Sequence, residues 1–345
     1  VNVSKIQEQI YMENKKISVK DIARMAGTSV ATVSRVINQN GRFSKETEQR
    51  VREIIEKYDY KPNQLARGLR ISHARAVGLM VPDITNEFFA RITREVQKNL
   101  LMHNYVTLIC NSNEDVKEAK DQIEMFMSYK VSGIIYIGGE NIIESQNIPT
   151  LYIDRDPRDI QIKLSEEHAM IECDNIQGGY LAGRELLQKG VRNPRVVGYN
   201  VNLSTIRKRI DGFRKAFEDA EIALSENLFI DVKEVSMQEG ARVTKEISED
   251  TDGADGIFFT SDVLAIGGIE YLKKAGVKIP QEMKIVGFDD ISAGQIIDPN
   301  LTTIHQPIEK FGELAANVIL SMIEKKEMET NKYRIPVELV VRQTT

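Results

Sequence analysis

Long apolar runs are missing from this 345-residue chain. No stretch approaches the roughly 18 residues that a membrane-spanning helix needs, and the N-terminus lacks a basic segment followed by an apolar one. No anchor or secretory leader is therefore expected, and the expected compartment is the cytoplasm. Cysteine is scarce as well. Cys110 and Cys173 each lie in a strand-like apolar run without metal-ligand spacing, so both read as buried structural thiols rather than redox or zinc ligands. The four histidines are scattered, and the chain carries no Gly-rich phosphate loop, nucleophile elbow or metal cluster. Asp289 and Asp290 are adjacent, whereas the paired carboxylates of glycosidases face each other across a substrate. The chemistry of an enzyme is therefore not expected, and neither a catalytic residue, a metal nor a cofactor is assigned.

What is present suits a globular protein with room for two or three domains: 41% of residues are hydrophobic and 28% charged. Net charge is −5, but its distribution is uneven. Residues 17–70 hold 11 Lys/Arg against 6 Asp/Glu, a net of +5 that leaves −10 on the remainder. A small basic module is attached to an acidic body, the footprint of a nucleic-acid contact confined to one end.

Within that module, residues 18–44 read SVKDIARMAGTSVATVSRVINQNGRFS. Ser18 followed by Asp21 marks a helix start, and Ile22, Ala23, Met25 and Ala26 recur at helical spacing. Gly27 ends that helix, since it takes a left-handed backbone freely. Ser29 caps a second helix with Val33, Val36 and Ile37 on its apolar face, and Ser44 a third that buries Val51, Ile54, Ile55 and Tyr58. Three such helices match a helix-turn-helix headpiece whose second helix enters the major groove.

From Ala76 onward apolar runs alternate with helical segments: AVGLMVP, YVTLIC, SGIIYIG, PTLYID, MIECD, RVVGYN, DGIFFTSD and KIVGFDD. Alternation of this kind specifies parallel sheets covered by helices, and eight strands with a pause at 158–168 predict two doubly wound lobes. Ligands of such sheets bind beyond the carboxyl ends of the strands, where Asp154-Arg155, Ser261-Asp262 and Asp289-Asp290 fall. The expected domains are an extension at 1–16, a headpiece at 17–60, a hinge at 61–74 and a body at 75–345. In the body the first lobe takes about 75–173 and 306–336, the second about 174–305 and 337–345. For the opening residues an added N-terminal helix is the competing reading. In the hinge, Pro62 prevents the third helix from continuing and Asn63 can cap a short helix through Leu69, too poor in apolar residues to be stable alone.

These segments, VKDIARMAGTSVATVSRVIN and YKPNQLARGL above all, then PDITNEFF, IDRD, RKRIDGF, TSDVLAIG, IVGFDD and LTTIHQP in order, resemble the lactose/galactose repressor (LacI/GalR) family of transcription regulators. The likeness spans residues 17–345 and points to the sugar-responsive branch that includes ribose and sucrose repressors. It implies a helix-turn-helix headpiece and hinge helix on two lobes of the periplasmic-binding-protein type. Carried onto this chain, Val30, Ala31 and Arg35 would read bases, Arg35 through the two acceptors of a guanine edge. Ser18, Ser29, Thr32, Ser34 and Asn38 would hold phosphates. Asn63, Ala66 and Leu69 would lie in the minor groove, Leu69 as a wedge.

The same resemblance implies a sugar between the lobes. Asn86 would donate to a hydroxyl and Phe88 and Phe89 would offer ring faces; Asp154, Arg155 and Arg209 would face Asp289 and Gln306. Ser261 stands where the family carries asparagine, which bears on which sugar fits. The implied protein is an allosteric repressor of a carbohydrate operon, its operator double-stranded DNA and its effector a sugar. A purine or a phosphocarrier corepressor is the alternative. The chain ends at VVRQTT without the leucine heptads of tetrameric relatives, so a homodimer is expected.

Overall fold

The computed structural model describes residues 17–60, 75–112, 115–138, 148–154, 167–225, 227–250 and 253–345. The ranges 1–16 and 61–74, with Asn63, Ala66 and Leu69, and the position of Arg155 lie outside these residues. Contacts divide the chain into two units, Val1–Ala74 and Arg75–Thr345.

In the first unit, three helices follow one another: α1 (Val19–Met25), α2 (Val30–Asn38) and α3 (Lys45–Lys57). Serine starts each. Ser18 accepts from the Asp21 N–H while the Asp21 carboxylate reaches back to the Ser18 N–H, and Ser29 and Ser44 accept from the N–H groups of Thr32 and Thr47. Gly27, with φ of +61°, turns the chain after α1. Nothing lies within 4 Å of where its Cβ would sit, so glycine is needed there for conformation and not for space. Ile22, Ala23, Ala26, Val33, Val36 and Val51 form the core, with Ile54 and Ile55 half-buried against it. Tyr58 departs from the sequence expectation. It sits at the end of α3 with its ring exposed and the Lys57 ammonium 5.5 Å from the ring centre, and Tyr60, two residues on, packs on the core in its place.

The second unit holds two six-stranded sheets. The first runs β11 (Lys332–Ile335), β5 (His168–Cys173), β4 (Thr150–Ile153), β3 (Gly133–Ile137), β1 (Ala76–Val81), β2 (Val106–Asn111), every pair parallel. The second runs β12 (Glu338–Val340), β10 (Thr302–His305), β9 (Lys284–Asp289), β8 (Gly256–Phe259), β6 (Pro194–Tyr199), β7 (Phe229–Val232), parallel except where β12 meets β10. The chain passes between sheets three times, after β5, after β10 and between β11 and β12. Strands β1, β3, β4 and β5 are buried along their whole length, as parallel strands covered on both faces must be. Helices α4 (Glu87–Met102), α5 (Val116–Ser128) and α11 (Ile308–Ile323) accompany the first sheet. Helices α6 (Asn175–Gln188), α7 (Ser204–Glu218), α8 (Met237–Glu249), α9 (Asp262–Lys274) and α10 (Ser292–Ile296) accompany the second.

All eight strands expected from the sequence are present, and β7, β10, β11 and β12 join them. Among the described residues no helix is long and apolar enough to cross a membrane. Cys173 is buried as expected; Cys110, on the edge strand β2, is only half-buried. Burial pushes both thiols up, Cys173 well above its ordinary value with the Asp154 charge adding to the effect.

Candidate functional site

Helix α2 buries Val33 and Val36 and exposes Ala31, Ser34 and Arg35. Val30 and Thr32 are half-buried, Val30 packing on the headpiece core. The Arg35 stem lies over Gly41, whose added Cβ would come within 3.2 Å of the Arg35 Cδ. Ser29 exchanges a 2.9 Å contact with the Thr32 hydroxyl, and Ser18 donates its hydroxyl to Asp21 at 2.6 Å. These two serines therefore work first as helix caps, and because a phosphate only accepts, Ser18, whose N–H and hydroxyl both go to Asp21, holds one only by giving up that carboxylate. Asn38 is the last residue of α2.

In the second unit a cavity of about 660 Å³ opens between the carboxyl ends of the two sheets. The first lobe contributes Asn86, Phe88, Phe89 and Asp154; the second contributes Arg209, Ser261 and Asp289. Asn86 caps α4, its Oδ1 accepting the Phe88 N–H at 3.0 Å, so its amide N–H groups are the part it can offer a ligand. Phe88 and Phe89 pack edge to face at 5.4 Å. Phe88 is nearly buried and belongs to the core, and Phe89 carries more of the wall. Gln306 is brought near but not in: fully buried, it donates to Asp289 Oδ1 at 2.8 Å from behind.

Asp154 and Asp289 sit at strand ends with left-handed backbones, φ of +55° and +115°. Such conformations cost ~1–3 kcal/mol for a non-glycine residue and persist where the surroundings over-determine them. Here side chains fix both carboxylates. Asp289 accepts from the Ser261 hydroxyl at 3.1 Å and from Gln306, and Ser261 consequently makes no cap bond to the helix it starts. Asp154 lies 3.7 Å from the Arg209 guanidinium and accepts from the Asn175 amide at 3.3 Å.

Arg209 is held through two of its three nitrogens and one face. Its Nε donates to Asn175 Oδ1 at 2.8 Å, its Nη1 to the Thr260 carbonyl at 2.6 Å, and its plane lies 3.6 Å over the Phe288 ring. Glycine makes the placement possible. An added Cβ at Gly179 of α6 would sit 1.9 Å from the Arg209 carbonyl oxygen, and one at Gly212 of α7 would sit 1.9 Å from that of Ile176. Only glycines let these helices cross closely enough to bring Arg209 to the cleft.

Burial drives the Asp289 carboxyl up to about 7, against the pull of Arg209 and the hydrogen bonds from Ser261 and Gln306. Asp262, beneath the cavity, is pushed well above the carboxylate range by burial and by the Asp289 charge. It accepts from the Ile291 N–H at 3.0 Å and the Thr303 hydroxyl at 2.6 Å, so it fixes the loop that carries Asp289. Asp262 was noted at its strand end and serves as a support, whereas Asn175, Phe288 and Thr260 support the site without having been singled out from the sequence. Their signal is tertiary, and only their position next to strand-end motifs hinted at it. Among the described residues no group of three or more His, Cys, Asp or Glu is arranged to hold a metal ion.

A helix-turn-helix unit joined to a two-lobed, cleft-forming α/β body defines a ligand-responsive DNA-binding protein. Residues 18–63 match the bacterial regulatory proteins of the lacI family, and residues 184–345 the periplasmic binding protein-like domain. The ribose operon repressor of Halalkalibacterium halodurans is 32% identical over 331 residues, 95% of this chain and 97% of its own length. The chain belongs to the LacI family of DNA-binding transcriptional regulators. A LacI family transcriptional regulator from Enterococcus faecium, solved with bound ribose, is 29% identical with a TM-score of 0.68, covering 78% of this chain and 98% of that one. The lac repressor dimer bound to operator and an anti-inducer shares the fold at 20% identity, with a TM-score of 0.82 over 96% of this chain and 99% of that one.

Proposed function

We propose that the chain is a cytoplasmic homodimeric repressor of a carbohydrate operon, released from its operator by a neutral sugar bound between the lobes. The observation that carries the effector reading is the cavity wall. Among the described residues it presents four carboxyl groups, Asp83, Asp154, Glu234 and Asp289, and one guanidinium, Arg209, which bonds Asn175 and Thr260 through Nε and Nη1. Carboxylates accept from hydroxyl groups and repel phosphate, so a polyol suits this wall better than a sugar phosphate. The volume lies inside the ~300–1,000 Å³ typical of small-molecule sites. D-ribose is the first candidate, since a ribose operon repressor and a ribose-bound regulator are among the relatives.

Asn86, Phe89, Asp154, Arg209 and Asp289 are assigned direct ligand contacts, with Phe88, Ser261 and Gln306 shaping and orienting them; Arg155 is assigned to the same site as Asp154. On DNA, Val30, Ala31 and Arg35 read bases, Ser18, Ser29, Thr32, Ser34 and Asn38 hold phosphates, and Asn63, Ala66 and the Leu69 wedge occupy the minor groove. Two headpieces on a symmetric dimer call for a near-palindromic operator.

Thermal unfolding against D-ribose, other pentoses and hexoses, their phosphates and nucleobases tests the effector class. A ligand at 100 times its dissociation constant adds ~2.7 kcal/mol. Stabilisation by a neutral sugar and none by its phosphate supports the reading; stabilisation by a nucleobase alone, or only by a phosphorylated carrier protein, overturns it.

A further inference from the structure

The two lobes are hydrogen-bonded to each other beside the cavity, through residues that do not line it. Along the start of α4 the duties divide. Asn86, Phe88 and Phe89 face the cavity, while Glu87 and Arg91, one turn apart, meet the second lobe. Glu87 Oε1 accepts the Ser292 N–H at 2.8 Å, and Glu87 Oε2 accepts the Ser292 hydroxyl at 2.8 Å. Arg91 donates to the Asp290 carbonyl at 3.2 Å and lies 3.9 Å from the Glu87 carboxylate. The segment that receives these contacts begins at Asp289. Within its own lobe it is held by the Asp290 carboxylate, paired with His305 at 2.9 Å and with Arg342, and by the Ile291 N–H on Asp262. Segments 86–91 and 289–292 therefore each touch the cavity with some residues and each other through Glu87, Arg91, Asp290 and Ser292.

We propose that Glu87 is a positioning residue for the effector: its carboxylate clasps Ser292 and sets the separation of the lobes, so that Asn86 and Asp289 face one ligand from opposite walls. The proposal rests on reading the cavity as the effector site. The clasp joins elements 205 residues apart in sequence, which no local cap requires. Both of its bonds have an ionised acceptor, the stronger kind, and both are lost when the lobes part. With the Glu87 side chain 30% exposed, water competes for it, and the clasp is strong enough to bias closure yet weak enough to open for ligand exit.

Hydrogen exchange of the full-length protein without added sugar, followed by calorimetry with D-ribose as the probe, tests this. Glu87→Ala, and Ser292→Ala as a second variant that leaves α4 intact, should both speed exchange in segments 83–89 and 199–206, which line the cavity from the two lobes. Strand β3 should be unchanged. Glu87→Gln, which keeps an acceptor for the Ser292 hydroxyl, should fall between. In calorimetry Glu87→Ala should weaken D-ribose about tenfold. Faster exchange confined to the Ser292 amide would reduce Glu87 to a local cap and overturn the proposal. A wild-type protein that ignores D-ribose would count against that sugar, and the exchange data would still decide the clasp.

Discussion

The headpiece and the body solve recognition in opposite ways. In the headpiece the side chains proposed to meet DNA are exposed: Ala31, Ser34 and Arg35 stand on the solvent face of a helix that packs on a core of six buried apolar residues. In the body they are buried and bonded before any ligand arrives, Arg209 at 5% exposure, Asp289 at 6% and Asp154 at 8%. Exposed cations on a small core suit a polyanion that brings its own charge, and the binding they give is screened by salt. Buried carboxylates held by Ser261, Gln306 and Asn175 suit a small neutral ligand that must be recognised by hydroxyl placement, and there salt matters little.

Ionic strength should separate the two sites most. With a net charge of +5 over residues 17–70 and two headpieces on the operator, affinity should fall about a thousandfold or more between 50 and 200 mM salt. Sugar affinity, read by calorimetry over the same range, should change less than about twofold. Equal sensitivity would erase the distinction. Next in size is Asp289→Ala. Removing a carboxylate that accepts two hydroxyls should weaken the sugar by about 100-fold or more, while operator binding without sugar stays as in the wild type. Arg35→Ala follows, with a loss of ~1–3 kcal/mol of preference at one base pair of each half-site. Measured against a set of operator variants, a uniform loss on all sequences would make Arg35 a phosphate contact instead.

The smallest effect concerns pH. The Asp289 carboxyl is raised in the folded protein from its ordinary 3.8 to about 7, so the native state keeps a proton that the unfolded chain releases. Its contribution to stability is therefore fully present below about pH 4 and is lost as pH rises through about 7. Asp262 is shifted in the same direction. Between pH 5 and 7.5 the sugar-free wild type should lose a few degrees of melting temperature more than Asp289→Asn, in which that proton no longer titrates. Parallel curves would place the carboxyl in ordinary solvent.

Sequence reading went furthest where structure is local. The Ser18, Ser29 and Ser44 caps and the Gly27 turn are decided within four residues, and each formed as the residues specify. Apolar runs buried on both faces were equally legible. The strands not anticipated are short or polar. FIDV, KYRI and ELV are edge strands held by one neighbour, while the interior strand TTIH is polar in sequence and buried because its threonines bond Asp262, Thr344 and Thr345. The site divided along the same line. Strand-end carboxylates could be placed from the end of an apolar run, whereas Asn175, which bridges Asp154 and Arg209, has no periodicity to betray it. Gln306 read as a ligand contact and stands behind Asp289, a difference of one side-chain layer that spacing does not encode.

The central claim is that one chain carries two separable sites, one for operator and one for sugar, and that the second governs the first. Electrophoretic mobility of operator DNA tests it most directly, with wild type, Arg35→Ala and Asp289→Ala titrated in parallel with and without the sugar that stabilises the wild type. The account predicts that Arg35→Ala binds operator more weakly yet is released at the wild-type sugar concentration, and that Asp289→Ala binds operator normally and is not released. Release of Asp289→Ala at the wild-type sugar concentration would contradict it.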